Sequence, residues 1–472
     1  MLRMKSVPHK LFLGIVAAHL LVFALAILFL LPTHDDWDYL ASPQINGWSW
    51  TMLLPNGIYW RPWDALLGAL LTKAPVLYPV LNHVLVIVGH ALAALLLWKL
   101  MRQVGIDRQA AMMSLVVFAV SPASLGTVLG IDSMNQCYAC VLGLLSIWLY
   151  LKREKWGFAW LFVAWCATWA KENGIVYFLL APAFGYIFYG KSRRLYQELG
   201  AGALLAALYM VLRLTLAADS LSVSEESPYG FTADKKLTDI VSFLAGTISV
   251  VDYISLLHAP SRNWTVVGIT LLVSVAFLCN FMRPKTWGRQ ALSLAGCTLV
   301  AASPHLATHF GPMHAYSTLP WFCLTLAALL NGRPIQDKPY LKYSYVLYVL
   351  VAIAVDWHHW QKTYISSVVG PALAEQVIRQ TGEDIPQDVY VITVVDAYPR
   401  YSSFCLPPRD VFFGGEVVRR ATHYTWPKKL RKTNVSSLRE AYTVAKSLKR
   451  GENQSVWIMN KDKVLVLDNP GR

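Results

Sequence analysis

The stretch "LFLGIVAAHLLVFALAILFLLPTHDDWDYL", Leu11–Leu40, decides the fold of this chain. Its first part, 11–31, is an apolar run, and roughly 20 apolar residues are enough for a helix to cross a bilayer. Three carboxylates follow at once, Asp35, Asp36 and Asp38. The stretch therefore predicts a membrane-spanning helix with a concentration of acids at its mouth.

Composition extends this interpretation to the whole chain. Of the 472 residues, 55% are hydrophobic and only 15% are charged, whereas a soluble domain carries about 25% charged residues. The formal net charge of +14 is interpreted as Lys and Arg in cytoplasmic loops, so no nucleic acid partner is expected. The cysteines predict no disulfide framework. We interpret the CxxC at Cys137 and Cys140 as helix packing.

Apolar blocks predict an α-helical polytopic membrane protein with about eleven transmembrane helices. The spans lie near 11–31, 76–100, 109–122, 135–151, 156–170, 174–190, 197–217, 263–282, 290–304, 313–331 and 341–356. Each loop after an even-numbered span carries three Lys or Arg. By the positive-inside rule these loops and the basic N-terminus are cytoplasmic, and the odd number of spans puts the C-terminal region outside.

The composition changes near residue 356, and we expect two domains, a transmembrane domain at 1–356 and a small soluble extracytoplasmic α/β domain at 357–472. In the second, "DVYVITVVDAYP" is typical of a buried strand. "VSSLREAYTVAKSLKRG" has helical periodicity with a glycine stop. "SVWIMNKDKVLVLDN" predicts two strands joined by "NKDK".

The predicted topology gathers many polar residues at the outer mouths of helices. Ionisable groups at a membrane edge are costly, so their default interpretation is a functional site. Acids, a lysine, an arginine and histidines at the lipid edge suit a substrate with an anionic head group and a lipid tail. The residues are His34, Asp35, Asp36, Asp38, Tyr59, Arg61, Asp64, Asp132, Asn135, Lys171, Glu172, Asn173, His305, His309, His314 and Tyr316.

Simpler interpretations compete for several of these residues. Asp38 suits a helix N-cap, whereas Asp35 and Asp36 repel each other without a partner and favour function. The paired acids also suit a divalent metal, Mg²⁺ or Mn²⁺. "HLATHFGPMH", 305–314, fits either a zinc site or polar lining. "WAKENG", 169–174, fits an ordinary turn with Gly174 as a breaker, or a functional Lys-Glu pair.

Four stretches, in order, resemble the GT-C glycosyltransferases that use lipid-phosphate sugar donors. The branch is that of the bacterial protein-mannosyltransferase-like proteins and the animal enzymes that carry tetratricopeptide repeats. The stretches are "HDDWDYL"; "YWRPWDALLGALL" with "LNHVLVIVGHALAALLLWKLM"; "SPASLGTVLGIDSMNQCYACVLGLLSIWLYLK" with "WAKENGIVYFLLAPAF"; and "HAYSTLPWFCLTLAALL". Two features depart from the family. No tetratricopeptide repeat is present, and the arginine before the late Tyr-x-x-Leu-Pro is replaced at His314 or Ala315.

The resemblance implies a function and a role for each site residue. A polyprenyl-phosphate-linked donor would give its sugar, with inversion, to a glycan, lipid or protein acceptor. Asp35 would be the general base, with Asp36 supporting it, and the two acids could also bind metal. Arg61, Lys171 and His314 would hold the donor phosphate, and His34, Glu172 and Tyr316 would line the pocket. The resemblance also implies a bacterial inner membrane, surrounding lipids as partners, and a periplasmic active site and C-terminal domain.

Three other functions compete with this one. A different lipid-linked glycan ligase or polymerase would keep a long late outer loop with Arg and His motifs, whereas the densest acids here are in the first loop. A transporter or flippase would show inverted repeats or helices broken at mid-membrane, and neither is clear in this sequence. A non-enzymatic scaffold with the same fold is the third.

Overall fold

A computed structural model describes most of the helical segments and part of the C-terminal region. The described residues are 9–33, 36, 49–54, 60–71, 78–191, 194–216, 243, 245–251, 264–281, 288–307, 312–332, 338–381, 388–394, 429–448, 454–460 and 463–467. The chain divides into two compact units. The first comprises Met1–Leu28, Ser49–Tyr253 and Thr265–Trp357, and the second Phe29–Trp48, Ile254–Trp264 and His358–Arg472.

Every predicted span coincides with an α-helix in the described part of the chain, and Pro62–Leu71 is helical as well. The helices are α1 His9–Ile27, α2 Pro62–Leu71, α3 Tyr78–Gln103, α4 Arg108–Val120, α5 Met134–Leu151, α6 Ala159–Ala170, α7 Tyr177–Tyr189, α8 Leu195–Leu216, α9 Trp264–Phe281, α10 Arg289–Ala307, α11 Ala315–Leu330 and α12 Pro339–Thr381. The last prediction differs most, because α12 continues well beyond residue 356.

The helices differ in how much of a bilayer they could cross by length and composition. Five are long and apolar enough to cross a membrane among the described residues: Val80–Gln103, Met134–Leu151, Leu195–Thr215, Trp264–Phe281 and Pro339–Val369. Arg108–Val120 and Pro122–Val128, bent by 51°, make a sixth if they form one span. Leu11–Ile27, Ala159–Ala170 and Ala315–Leu330 are shorter apolar helices. The chain is thus an integral membrane protein.

Helices α5 and α11 form the centre of the first unit. Nearly every residue of α11 is buried, as expected for a helix that is apolar all round. Helix α5 packs against α3, α6, α7 and α11. Close packing depends on glycine at Gly143, because a Cβ there would lie 2.1 Å from the Tyr177 ring. The CxxC cysteines are buried in α5, which confirms their interpretation as packing residues.

One end of the first unit is defined by contacts between the basic loops and their neighbours. Arg153 Nε lies 2.7 Å from Glu198 Oε1, and Arg289 Nη2 donates to the Tyr186 hydroxyl at 3.0 Å. Asp107 caps α4 through the Ala110 amide. These residues flank the loops that the charge pattern assigns to the cytoplasm, and the candidate site lies at the opposite ends of the same helices.

The second unit contains the predicted small α/β fold. Its strands are β1 Asp388–Val394, β2 Lys429–Val435, β3 Gln454–Asn460 and β4 Lys463–Leu467, with α13 Leu438–Ser447 between β2 and β3. The strand order is β2-β1-β3-β4. Strand β1 pairs in parallel with β2 and β3, and β4 is antiparallel to β3. The predicted strands in "DVYVITVVDAYP" and "SVWIMNKDKVLVLDN" and the predicted helix are all present.

The sheet buries one face against α13 and protects its two edges differently. Ile392, Val394, Val435, Val456 and Ile458 pack with Ala441 and Ala445 of α13. At the β4 edge, side chains of α12 bond the strand backbone: Gln376 Oε1 accepts from the Val464 amide at 3.0 Å, and Gln380 Oε1 from Val466 at 2.9 Å. The other edge is β2, "KLRKTNV". Basic residues on an edge strand discourage pairing with another chain. They also interrupt the apolar pattern, so the sequence did not predict this strand.

Candidate functional site

The helix ends opposite the basic loops meet around Met313, which lies just before α11. Thr127, in the turn after α4, donates to the Met313 carbonyl at 3.1 Å. Ser133, the N-cap of α5, lies 3.4 Å from the Met313 Sδ through its Oγ. Lys171 Nζ lies 3.7 Å from the same sulfur. Residues that the sequence places in separate outer loops are therefore neighbours in the first unit.

A two-point ion pair at this end joins Arg61 and Glu172. Arg61 Nε lies 3.1 Å from both carboxylate oxygens of Glu172, and its Nη2 lies 2.9 Å from Oε2. Burial raises the pKa of Glu172, but the charge and hydrogen bonds of Arg61, together with the charge of Arg213, outweigh it and hold the pKa below its usual value. Glu172 is therefore an anion held among cations.

Residues 171–176, here called the Lys-Glu loop, owe their shape to two local features. Helix α6 ends because Lys171 adopts an extended backbone, and Glu172–Val176 then form a 3-10 helix. Gly174 does not have a positive φ, so it is not a conformational breaker. Its role is close approach, because a Cβ there would lie 2.3 Å from the backbone carbon of Ala167. This packing points Lys171 and Glu172 towards the Met313 end.

Two histidines stack beside the Lys-Glu loop. The rings of His305, at the end of α10, and His314, just before α11, are 4.2 Å apart at 15°. Asn173 Nδ2 lies 3.3 Å from His305 Nε2, which gives that nitrogen the acceptor role when the amide donates. Parallel stacking at this distance disfavours two positive charges, because like charges repel. The pair therefore adds polarity to the site more than charge.

Aromatic rings form the other flank of the site. Trp60 precedes Arg61 and stacks on Tyr209 of α8, with ring centroids 5.8 Å apart and planes 6° apart. Trp165 and Trp169 of α6 pack edge-on nearby. Trp60 is only half-buried. An apolar aromatic wall next to cations suits a ligand that joins an anionic group to a lipid chain.

The predicted site residues have different positions in the structure. Arg61, Lys171, Glu172 and His314 all belong to the helix ends around Met313. Tyr316 lies inside the bundle, where its hydroxyl is 3.0 Å from His90 Nδ1 and 3.6 Å from Cys137 Sγ.

Of the acids predicted in the first loop for catalysis, only Asp36 lies within the described residues. His34 and Asp35 lie outside the described residues. Asp36 belongs to the second unit and is buried, and its Oδ2 accepts from the Thr33 amide at 3.0 Å. Within the described ranges no three His, Cys, Asp or Glu residues group as metal ligands. Asp35 and His309 fall outside those ranges, so the Mg²⁺, Mn²⁺ and zinc sites remain predictions.

Sequence reasoning gave no role to Arg213, whose charge acts on Glu172. It sits near the end of an apolar span, where a single arginine is easily assigned to the interface. Arg61, Lys171 and Arg213 are called the cationic cluster below.

Comparisons with known proteins give little beyond these observations. No family model matches the chain, and no curated protein matches it significantly. Among solved structures, the chain is similar to the crystal structure of ArnT from Cupriavidus metallidurans bound to undecaprenyl phosphate. The two are 11% identical, 97% of each chain is covered and the TM-score is 0.43. A TM-score below 0.5 establishes neither a common fold nor a common activity.

Proposed function

We propose that the chain is a GT-C-type glycosyltransferase that moves a hexosyl or pentosyl group from a polyprenyl-phosphate donor to an acceptor. The acceptor is a glycan, a lipid or a protein. The observation that carries the proposal is the cationic cluster around Glu172, at the point where the helix ends converge on Met313. The resemblance of four sequence stretches to that superfamily agrees with it.

The charge balance of the cluster suits a phosphate. Glu172 aligns the Arg61 guanidinium and lies within the electrostatic reach of Arg213. Lys171 is more than nine-tenths buried, and a buried ammonium attracts an anion more strongly than an exposed one because water screens it less. As the sugar–phosphate bond breaks, the leaving phosphate gains charge, and cations already in place stabilise that charge without reorganising.

The proposed reaction is a single displacement. An acceptor hydroxyl attacks the anomeric carbon on the face opposite the phosphate. The new carbon–oxygen bond forms while the sugar–phosphate bond breaks, and polyprenyl phosphate leaves with the bonding electrons. Asp35 or Asp36 takes the hydroxyl proton, a role that contributes about 10²–10⁴-fold in rate. The anomeric configuration is inverted.

Asp36 is partly suited to this role. It is buried, and one carboxylate oxygen is held by the Thr33 amide. A carboxylate held in place by a hydrogen bond suits either the base or the acid that supports it, so Asp35 and Asp36 share the proposed role. The same two acids suit Mg²⁺ or Mn²⁺, which would supply charge neutralisation for the phosphate. The proposed location is a bacterial inner membrane, with the N-terminus in the cytoplasm and the site and C-terminal domain in the periplasm.

A donor-turnover assay tests the proposed function. Purified protein in nanodiscs is incubated with sugar-labelled polyprenyl-phosphate hexoses and pentoses, with candidate acceptors and with water as the default acceptor. We expect bare polyprenyl phosphate to accumulate from at least one donor, and Asp35→Asn or Asp36→Asn to slow this by about 10²–10⁴-fold. Turnover of no donor contradicts the proposal. Full activity in both variants refutes the base assignment alone.

Arg153→Gln is the matched control for that assay. It removes an ion-paired arginine at the opposite end of the same unit, so its turnover should equal that of the unaltered protein.

A further inference from the structure

Two buried carboxamides near the candidate site have no hydrogen-bond partners. Asn82, in the second turn of α3, and Gln136, in the first turn of α5, are each 0% exposed. In the part of the chain that the structure describes, neither the oxygen nor the nitrogen of either amide has a partner. The nearby amide of Asn173, by contrast, bonds His305. The two residues therefore place four unpaired polar atoms in the interior.

Such groups are unfavourable in a helix bundle unless something bonds them. Buried polar atoms in proteins are almost always paired, and a membrane interior gives them no bulk water. Leucine or methionine at either position would fill similar space at no such cost. The orphaned amides thus point to a ligand that supplies hydrogen bonds.

Gln136 lies on the face of α5 that meets the Lys-Glu loop. Gly143, two turns further along the same face, packs against the ring of Tyr177. Tyr177 is the first residue of α7 and directly follows the loop. Ser133, one turn before Gln136, lies against the Met313 sulfur that Lys171 also contacts. Gln136 thus lies on the helix face, and at the helix end, that meets Met313 and the Lys-Glu loop.

Asn82 lies on the face of α3 that meets α5. One turn further along, the Val86 carbonyl accepts from the Cys137 thiol at 3.7 Å. A Cβ on Gly89, on the same face, would lie 2.8 Å from the same sulfur. Asn82 and Gln136 therefore occupy the same end of two helices that pack directly on each other.

We infer that Asn82 and Gln136 bind hydroxyl groups of the donor's sugar. The inference rests on the proposed function and names the sugar site within it. A carboxamide both donates and accepts hydrogen bonds, and so does a sugar hydroxyl. The phosphate of the donor, by contrast, is an anion and would bind to the cationic cluster. A site with buried amides rejects a ligand that lacks the matching hydroxyls, because the amides then stay unpaired.

The test compares two lipids on the same protein. Dissociation constants are measured in nanodiscs for bare polyprenyl phosphate and for polyprenyl-phosphate hexoses and pentoses. We expect at least one sugar-bearing lipid to bind about tenfold more tightly than the bare lipid, which is the effect of roughly one good hydrogen bond. Gln136→Met and Asn82→Leu should each lose most of this preference and leave the affinity for the bare lipid unchanged.

The controls separate this inference from the proposed function. Ser146→Ala removes a satisfied hydroxyl of α5 and should leave both affinities unchanged. The Tm of ligand-free Gln136→Met should hold or rise, because an orphaned amide is removed. Unaltered protein that binds neither lipid overturns the proposed function. Two results would overturn the inference and leave the proposed function standing. One is a sugar preference in both amide variants equal to that of the unaltered protein. The other is a lower Tm of Gln136→Met with its sugar preference intact.

Discussion

Arg61 and Glu172, 111 residues apart in the chain, form a two-point ion pair in which Arg61 Nη2 lies 2.9 Å from Glu172 Oε2. The pair ties the segment before α2 to the Lys-Glu loop. Their side chains are 21% and 13% exposed, so water screens the contact only in part. The pair thus holds the segment before α2 against the Lys-Glu loop and contributes one positive and one negative charge to the candidate site.

Glu172→Gln should lower the free energy of unfolding by about 1–3 kcal/mol, the range for hydrogen bonds to charged groups and for leaving a partner unsatisfied. Thermal or denaturant unfolding in detergent measures the loss, and a double-mutant cycle with Arg61→Gln isolates the pair. Additive effects of the two substitutions would contradict the coupling.

The stability lost in Glu172→Gln should depend on pH. The pKa of Glu172 is held below its ordinary value of 4.5, so the folded state binds the proton more weakly than the unfolded state. The stabilisation is then fully present above pH 4.5 and lost as the pH falls through the lowered pKa. The stability difference between the unaltered protein and Glu172→Gln should be constant near neutral pH and shrink in acid. A difference that grows in acid would contradict the assignment.

Gly174→Ala should destabilise the Lys-Glu loop by about 1–3 kcal/mol or more, because the new Cβ would overlap the backbone at Ala167 and overpacking carries that cost. Affinity for polyprenyl phosphate should fall with it, since Lys171 and Glu172 move. Gly296→Ala is the matched control: a Cβ there meets no atom of the described structure within 4 Å, so Tm should hold or rise. An unchanged Tm in Gly174→Ala would refute the close-approach explanation.

Tyr316→Phe separates packing from ligand binding. The hydroxyl contacts His90 and Cys137 inside the bundle, and its removal takes away the hydrogen bond to His90 Nδ1. We expect a loss of about 1–3 kcal/mol in stability with the lipid dissociation constants unchanged. A variant of native stability that binds the donor weakly would instead support the pocket role that the family resemblance implies.

Hydropathy and charge predicted the helical segments well, because apolar runs and basic loops are properties of adjacent residues. The same holds for β1, β3, β4 and α13, whose periodicity is local. Strand β2 was missed because its basic residues suit an edge and not a buried strand. The last helix is longer than the predicted span, because α12 continues as a helix after its apolar part ends.

The sequence named candidate site residues but not the contacts between them. Arg61 stays a predicted phosphate ligand, and its guanidinium also bonds Glu172, a contact across 111 residues that no local pattern reveals. Tyr316 is only two residues from His314 in sequence, but α11 begins at Ala315 and places Tyr316 inside the bundle. Gln136 drew no attention because one amide in an apolar run looks like an ordinary helix residue.

The affinity of Lys171→Gln for polyprenyl phosphate tests the central claim most directly. Lys171 is a buried ammonium beside Met313 in the proposed phosphate site. Charge-assisted hydrogen bonds contribute about 1.5–3 kcal/mol, so the dissociation constant should rise about 10–100-fold. Arg153→Gln, at the opposite end, should bind as the unaltered protein does. Equal affinity in Lys171→Gln and the unaltered protein would contradict the proposal that the cationic cluster holds the donor phosphate.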